Sequence, residues 1–218
     1  MTLLPDHLLD GFSLLPADKP IHLVTRHSIR EEADNGFAHY KLPLTDEGRA
    51  LAFHLGEQLA MPIAACFSSP VQRCLDTASQ MLAGASTQLP VAKSRVLVEP
   101  GCYVTDLRKA GRIFLQVGVL DFINLHLKRE AAGVLSPEEG LVKLLHYLFL
   151  HQPPAGKLAI HVTHDTILAA FVAGLQGAHH ISSGDWPQMM EGLWLWFDQG
   201  RVHWVWRALP GSLAVPGF

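Results

Sequence analysis

Ile21-His22-Leu23-Val24-Thr25-Arg26-His27-Ser28-Ile29-Arg30 and, much later in the chain, Leu158-Ala159-Ile160-His161-Val162-Thr163-His164-Asp165-Thr166 are the stretches on which the reading of the fold turns. Each opens on an apolar, strand-like run, Ile21–Val24 in the first and Leu158–Ile160 in the second, so His27 and His164 fall where a strand ends and the chain turns. In parallel α/β sheets the ligand crevice lies outside the carboxyl ends of the strands. His27, His164, Arg26, Arg30 and Asp165 are therefore expected to face one opening, a set suited to binding an oxyanion and reacting with it.

Outward from these stretches, strands alternate with helices, the pattern of a three-layer α/β fold with a mainly parallel sheet and helices on both faces. A polar loop, Glu31–Lys41, follows the first strand, and a helix begins near Thr45, a potential N-cap, carrying Leu51, Leu55 and Leu59 on one face. Ala64-Ala65-Cys66-Phe67 reads as a second strand that ends at Ser68-Ser69-Pro70, where Ser69 can cap a helix and Pro70 can take its first position. A third strand is expected over Arg95–Val98, before the turn Glu99-Pro100-Gly101. Ser136-Pro137-Glu138-Glu139 has capping-box spacing and opens a helix running to Leu150. A further helix is expected from about Thr166 to Leu175. Gly192–Phe197 and Arg201–Trp206 alternate bulky and polar residues as a C-terminal β-hairpin would. The tryptophans of that hairpin read as sheet packing, with a stacking platform for a sugar or base as the functional alternative.

The chain has 218 residues, 49% hydrophobic and 17% charged, with Lys+Arg 17 against Asp+Glu 20. That composition can fill a large core and offers no basic tract, which argues against nucleic acid and anionic membrane as partners. Its apolar runs, Leu141–Leu150 and Ile167–Leu175, are interrupted or too short to span a bilayer. No secretory signal is visible in Met1–Pro20, so a cytoplasmic location is the default expectation. Cys66, Cys74 and Cys102 lack metal or disulfide spacing and read as reduced, mostly buried thiols. One domain over residues 1–218 is expected, with a helical insertion or cap at about 102–135.

Phosphate esters carry concentrated negative charge, and their cleavage depends chiefly on positioning and charge stabilisation. Planar guanidinium groups suit that task. Arg26 and Arg30 flank His27, and Arg73 falls in the first turn of the helix after Ser68-Ser69-Pro70. The helix macrodipole disfavours a cation there, unless an anion is lodged beside it.

Arg26-His27-Ser28-Ile29-Arg30, Leu44-Thr45-Asp46-Glu47-Gly48, Ser68-Ser69-Pro70-Val71-Gln72-Arg73 and His164-Asp165 together resemble the histidine phosphatase superfamily, whose fold is phosphoglycerate-mutase-like, over most of the chain from about Ile21 to the final hairpin. The resemblance implies a phosphomonoesterase needing neither metal nor cofactor. His27 would become a phosphohistidine, Arg26, Arg30, Arg73 and His164 would hold the phosphoryl oxygens, and water would hydrolyse the intermediate. Ser28 stands where the family usually has glycine, so a positive φ there would be strained, while its hydroxyl could itself donate to phosphate. The motifs lie nearer the acid phosphatase branch, which makes Asp165 the favoured proton donor. Glu99 is the alternative by analogy with the mutase-like branch.

Two other readings compete. A metallohydrolase would use His22, His27, His161, His164 and Asp165 as ligands, although arginines are poor neighbours for a divalent cation. A binding module could keep the phosphate pocket without turnover. For the phosphatase and the binding module the partner is a small phosphorylated molecule, and Tyr103, Arg108, Lys109 and Arg112 are available either for a second anionic group or as solvated surface.

Overall fold

The computed structural model describes residues 4–32, 41–98 and 101–215. A one-turn helix, α1 (Asp6–Asp10), precedes strand β1 (Ile21–Arg26), which is buried along all but its last residue, as an inner strand covered on both faces must be. There follow α2 (Asp46–Gln58), β2 (Ile63–Ser68), α3 (Gln72–Gly84) and β3 (Val91–Lys93). Two helices, α4 (Leu107–Val117) and α5 (Val119–Leu127), occupy the segment expected as a helical insertion. Next come α6 (Pro137–Leu150), β4 (Leu158–Thr163) and α7 (Asp165–Gln176), and the described chain ends in β5 (Gly192–Asp198), β6 (Arg201–Trp206) and β7 (Leu209–Ala214).

The strands form one seven-stranded sheet in the order β3-β2-β4-β1-β5-β6-β7. β3, β2, β4 and β1 pair in parallel, and β5, β6 and β7 extend the sheet antiparallel from β1. Two hydrophobic clusters lie on its faces. Ile21 and Leu23 pack with α2 and α3 residues such as Leu55, Cys74 and Met81, whereas Val24 packs with Leu144, Leu148, Leu168 and Phe171 of α6 and α7. This alternation along β1 is the period of two that a strand between helical layers requires. Among the described residues no helix is long and apolar enough to cross a membrane.

The caps explain where helices begin. Thr45 Oγ1 accepts from the Gly48 amide at 2.9 Å to start α2, and Ser136 with Glu139 completes the capping box of α6. Gly48 has a further role: a Cβ there would collide with the Ile29 carbonyl, so only glycine lets α2 press against the chain just beyond His27. Thr45 N also donates to that carbonyl at 3.1 Å, which ties the Leu44–Gly48 segment to the first motif.

Three details differ from the sequence expectation. The third strand is Val91–Lys93, and Arg95–Leu97 is instead a 3₁₀ turn, with the Ser94 hydroxyl accepting from the Val96 amide. A short apolar run cannot by periodicity distinguish a buried turn from a strand, and Leu97 is wholly buried. Ser69 and Pro70 do not open α3, which starts at Gln72 with Val71 in the capping position; the Ser69 hydroxyl accepts from His164 Nε2 and, at 3.3 Å, from the Val71 amide. The terminal hairpin gains a third strand, β7. Pro210 and Gly211 read as breakers, yet an edge strand tolerates proline, and Gly211 lets the backbone lie against the Trp204 ring. Trp194, Trp204 and Trp206 are buried, which favours packing over a stacking platform.

Candidate active site

Three parallel strand ends converge. His27 follows β1, His164 follows β4 and Ser69 follows β2; the His27 amide donates to the Thr163 carbonyl at 3.0 Å and the Ser69 amide to the Val162 carbonyl at 2.9 Å. Backbone bonds past the strand ends thus set the spacing of the side chains. His27 and His164 are 3% exposed, with ring centroids 5.6 Å apart in an edge-to-face arrangement.

Hydrogen-bond logic fixes both tautomers. His27 Nδ1 lies 2.8 Å from the Ser28 carbonyl, which can only accept, so Nδ1 carries the proton. Nε2 is then a lone pair, and it accepts from Arg73 Nε at 3.0 Å. Arg73 Nη2 lies 3.1 Å from His164 Nδ1, so that nitrogen accepts and His164 Nε2 donates to Ser69 Oγ at 2.9 Å. Arg73 therefore bridges the two histidines from the first turn of α3. Burial, reinforced by His164 and Arg73, holds the His27 pKa well below its ordinary 6.5 and keeps the ring neutral.

A second tier holds these groups. The Ser28 amide donates to Thr77 Oγ1 at 3.0 Å, and Thr77 in turn donates to the Arg73 carbonyl at 2.7 Å. Arg26 pairs with Asp165, Nη2 to Oδ2 at 2.8 Å, and donates from Nη1 to the Pro187 carbonyl at 2.6 Å. Burial lowers the Arg26 pKa, and the Asp165 charge opposes that shift. Beneath β1, the Arg26 amide donates to the carbonyl of Glu191, a fully buried residue whose carboxylate accepts from Arg207 at 2.7 and 3.1 Å. Burial alone would raise the Glu191 pKa, but these bonds, with those from the Gln188 amide and His7, bring it below the usual range.

The structure thus brings His27, Arg73 and His164 into direct contact. Arg30, Arg73, His164, Asp165 and Thr166 line one cavity of about 640 Å³, with Arg30 set by the bridge between it and Leu44. Arg26 reaches this group through Asp165. Ser28 has no positive φ, so the feared backbone strain is not realised; its hydroxyl is buried without a partner among the described residues, and it does not line the cavity. Glu99 lies outside the described residues, as does His39 with residues 33–40 of the expected polar loop. The alternative metal-ligand set is not assembled: His22 Nδ1 lies 3.0 Å from His161 Nε2 inside the core, and no cluster of three or more candidate ligands occurs among the described residues.

Sequence reading missed Thr77 and Glu191 and cast Ser69 as a helix cap. Thr77 stands four residues after Arg73, one helical turn on, a spacing that could have suggested the contact. Nothing local marks Glu191, whose role depends on β5 and β6 folding back beside β1.

Residues 23–102 match the model of the histidine phosphatase superfamily (branch 1). Among solved structures, the Bacillus stearothermophilus YhfR protein aligns at 18% identity and TM-score 0.58, covering 86% of this chain and 96% of that one. Phosphoglycerate mutase from Bacillus anthracis aligns at 14% identity and TM-score 0.56, covering 91% and 94%. Mycobacterial glucosyl-3-phosphoglycerate phosphatase aligns at 17% identity and TM-score 0.55, covering 81% and 89%. Comparison with curated protein sequences gives no match. The resemblance to the histidine phosphatase superfamily therefore holds: its signature spans residues 23–102, and the fold around it is phosphoglycerate-mutase-like. The matching model is that of branch 1, and neither it nor these structures singles out the acid phosphatase branch towards which the motifs lean.

Proposed function

We propose that the protein is a metal-independent phosphomonoesterase acting through a phosphohistidine at His27. The observation that carries this reading is the His27 ring itself: Nδ1 is anchored to the Ser28 carbonyl, and Nε2 is an unprotonated lone pair held between Arg73 and the neighbouring His164. A neutral, oriented imidazole beside a guanidinium is what in-line attack on a phosphoryl group needs.

In this scheme the phosphoryl group enters where Arg73 meets the histidines, and the guanidinium turns its donors from Nε2 to the oxygens. Nε2 forms the N–P bond as the P–O bond to the alcohol breaks. Asp165, at the start of α7, exchanges Arg26 for a proton taken from solvent and delivers it to the leaving oxygen, with Glu99 as the alternative donor. Water then attacks phosphorus, returns a proton to the acid and frees His27 and inorganic phosphate. Arg26, Arg30, Arg73 and His164 stabilise the oxygens. His164 can donate from Nδ1 only when protonated, a state that the arriving dianion favours. Residues 1–218 act as one domain with 102–135 as its cap. Cys66, Cys74 and Cys102 are buried and none forms a disulfide, which fits a reducing, cytoplasmic setting.

The test is direct. Incubation with a labelled phosphoryl donor and rapid quenching should trap an acid-labile, base-stable phosphoenzyme, and His27→Ala should form none. Label retained by His27→Ala would refute the assignment. Tight vanadate binding without any turnover would instead identify a non-catalytic phosphate-binding module.

A further inference from the structure

We infer that the substrate is a phosphomonoester of a bulky hydrocarbon alcohol, long alkyl or fused aryl, an inference that rests on the phosphatase reading above. At about 640 Å³, the cavity falls within the range of sites that accept drug-sized ligands. Arg30, Arg73, His164 and Asp165 of its lining all belong to the strand-end site, whereas every described lining residue from 98 to 134 is uncharged at neutral pH. Val104, Leu107, Phe114, Phe122 and Ile123 face the cavity from the cap and Ile167 from α7. The lining histidine on the cap side, His126, is buried, which lowers its pKa to about 4 and keeps it neutral.

The cations available in the cap do not reach the cavity. Arg108, Lys109 and Arg112 are exposed, do not line it, and Lys109 is turned to Asp106 at 3.7 Å. A second carboxylate or phosphate placed on the cap side would thus be desolvated against apolar walls with no counter-charge among the described residues, at large cost. Leu107 and Phe114, one face of α4 apart by two turns, are 60% and 37% exposed while also lining the cavity. Apolar side chains left at a cavity's rim find their partner when an apolar ligand passes between them.

The experiment measures calorimetric Kd values of the intact protein for n-alkyl phosphonates from methyl to decyl, for 1-naphthyl phosphonate and for a carboxylated phosphonate of similar size. Affinity should rise about fourfold per added methylene until the cavity is full. A gain confined to the alkyl or the naphthyl arm assigns the alcohol to that class, and the carboxylated ligand should bind no better than methyl phosphonate. Gly111→Trp, at a position where a Cβ meets nothing within 4 Å, should fill the space and flatten the series. A flat series in the parent protein, or an unchanged slope in Gly111→Trp, would overturn the inference. Turnover of para-nitrophenyl phosphate is followed in parallel. A flat series with turnover rejects the alcohol class alone, and a rising series with no turnover rejects the phosphatase reading alone.

Discussion

Lowering the pH from 7.5 to 5 should destabilise the protein well before its carboxylates titrate. Burial lowers the pKa of His22 to about 3 and of His126 to about 4, against an ordinary 6.5. The unfolded chain takes up a proton at each position as the pH drops below 6.5, and the folded protein does not, so stability falls with pH across that window. At pH 5 the gap of one and a half units between 6.5 and the solution pH costs about 2 kcal/mol per histidine, or about 4 kcal/mol for the two together. His27 and His161 shift in the same direction and add to the loss. Carboxylates with lowered pKa, such as Glu191, lose their contribution only as the pH falls below the ordinary 4.5, outside the window. Urea unfolding at pH 7.5, 6 and 5 measures this. With a slope of about 2 kcal/mol per molar, the midpoint should fall by roughly 2 M or more between the extremes. His126→Leu removes a ring with no hydrogen-bond partner among the described residues, so it should restore about 2 kcal/mol of the loss at pH 5. A midpoint that holds steady from pH 7.5 to 5, or a His126→Leu protein as acid-sensitive as its parent, would refute the reasoning.

Two predictions concern the site. Arg73→Ala removes the bridge between His27 and His164 and should lower turnover by roughly 10²–10³ while weakening vanadate inhibition; unchanged vanadate affinity would place Arg73 outside the phosphate site. Asp165→Asn should slow esters with poor leaving groups far more than para-nitrophenyl phosphate, whose leaving group needs little protonation. The same selectivity in Glu99→Gln and not in Asp165→Asn would assign the acid to Glu99.

Where the histidines and arginines gather was largely legible, because strand-end motifs are local. An apolar run followed by Arg-His or His-Asp states both a strand and what stands at its end, and β1 and β4 do terminate beside one another, Arg26 opposite Thr163. The capping chemistry of Thr45 and Ser136 was legible for the same reason, since a cap is a bond between residues three apart. Local reading failed where a residue's part is assigned by a distant neighbour. Ser69 has the composition of a helix cap, but besides the Val71 amide its hydroxyl accepts from the His164 ring across the strand end.

The sequence alone determined the alternation of strands and helices, the two histidine-bearing strand ends, and the histidine and arginine side chains gathered near them, because period, caps and residue chemistry act over a few positions. Only the tertiary structure decided which nitrogen of His27 bears the proton, that Arg26 faces Asp165, and that the cap's cations point to solvent while its apolar face meets the cavity. Those facts depend on contacts between segments far apart in the chain. Burial and hydrogen-bond geometry exist there only once the sheet has brought the segments together.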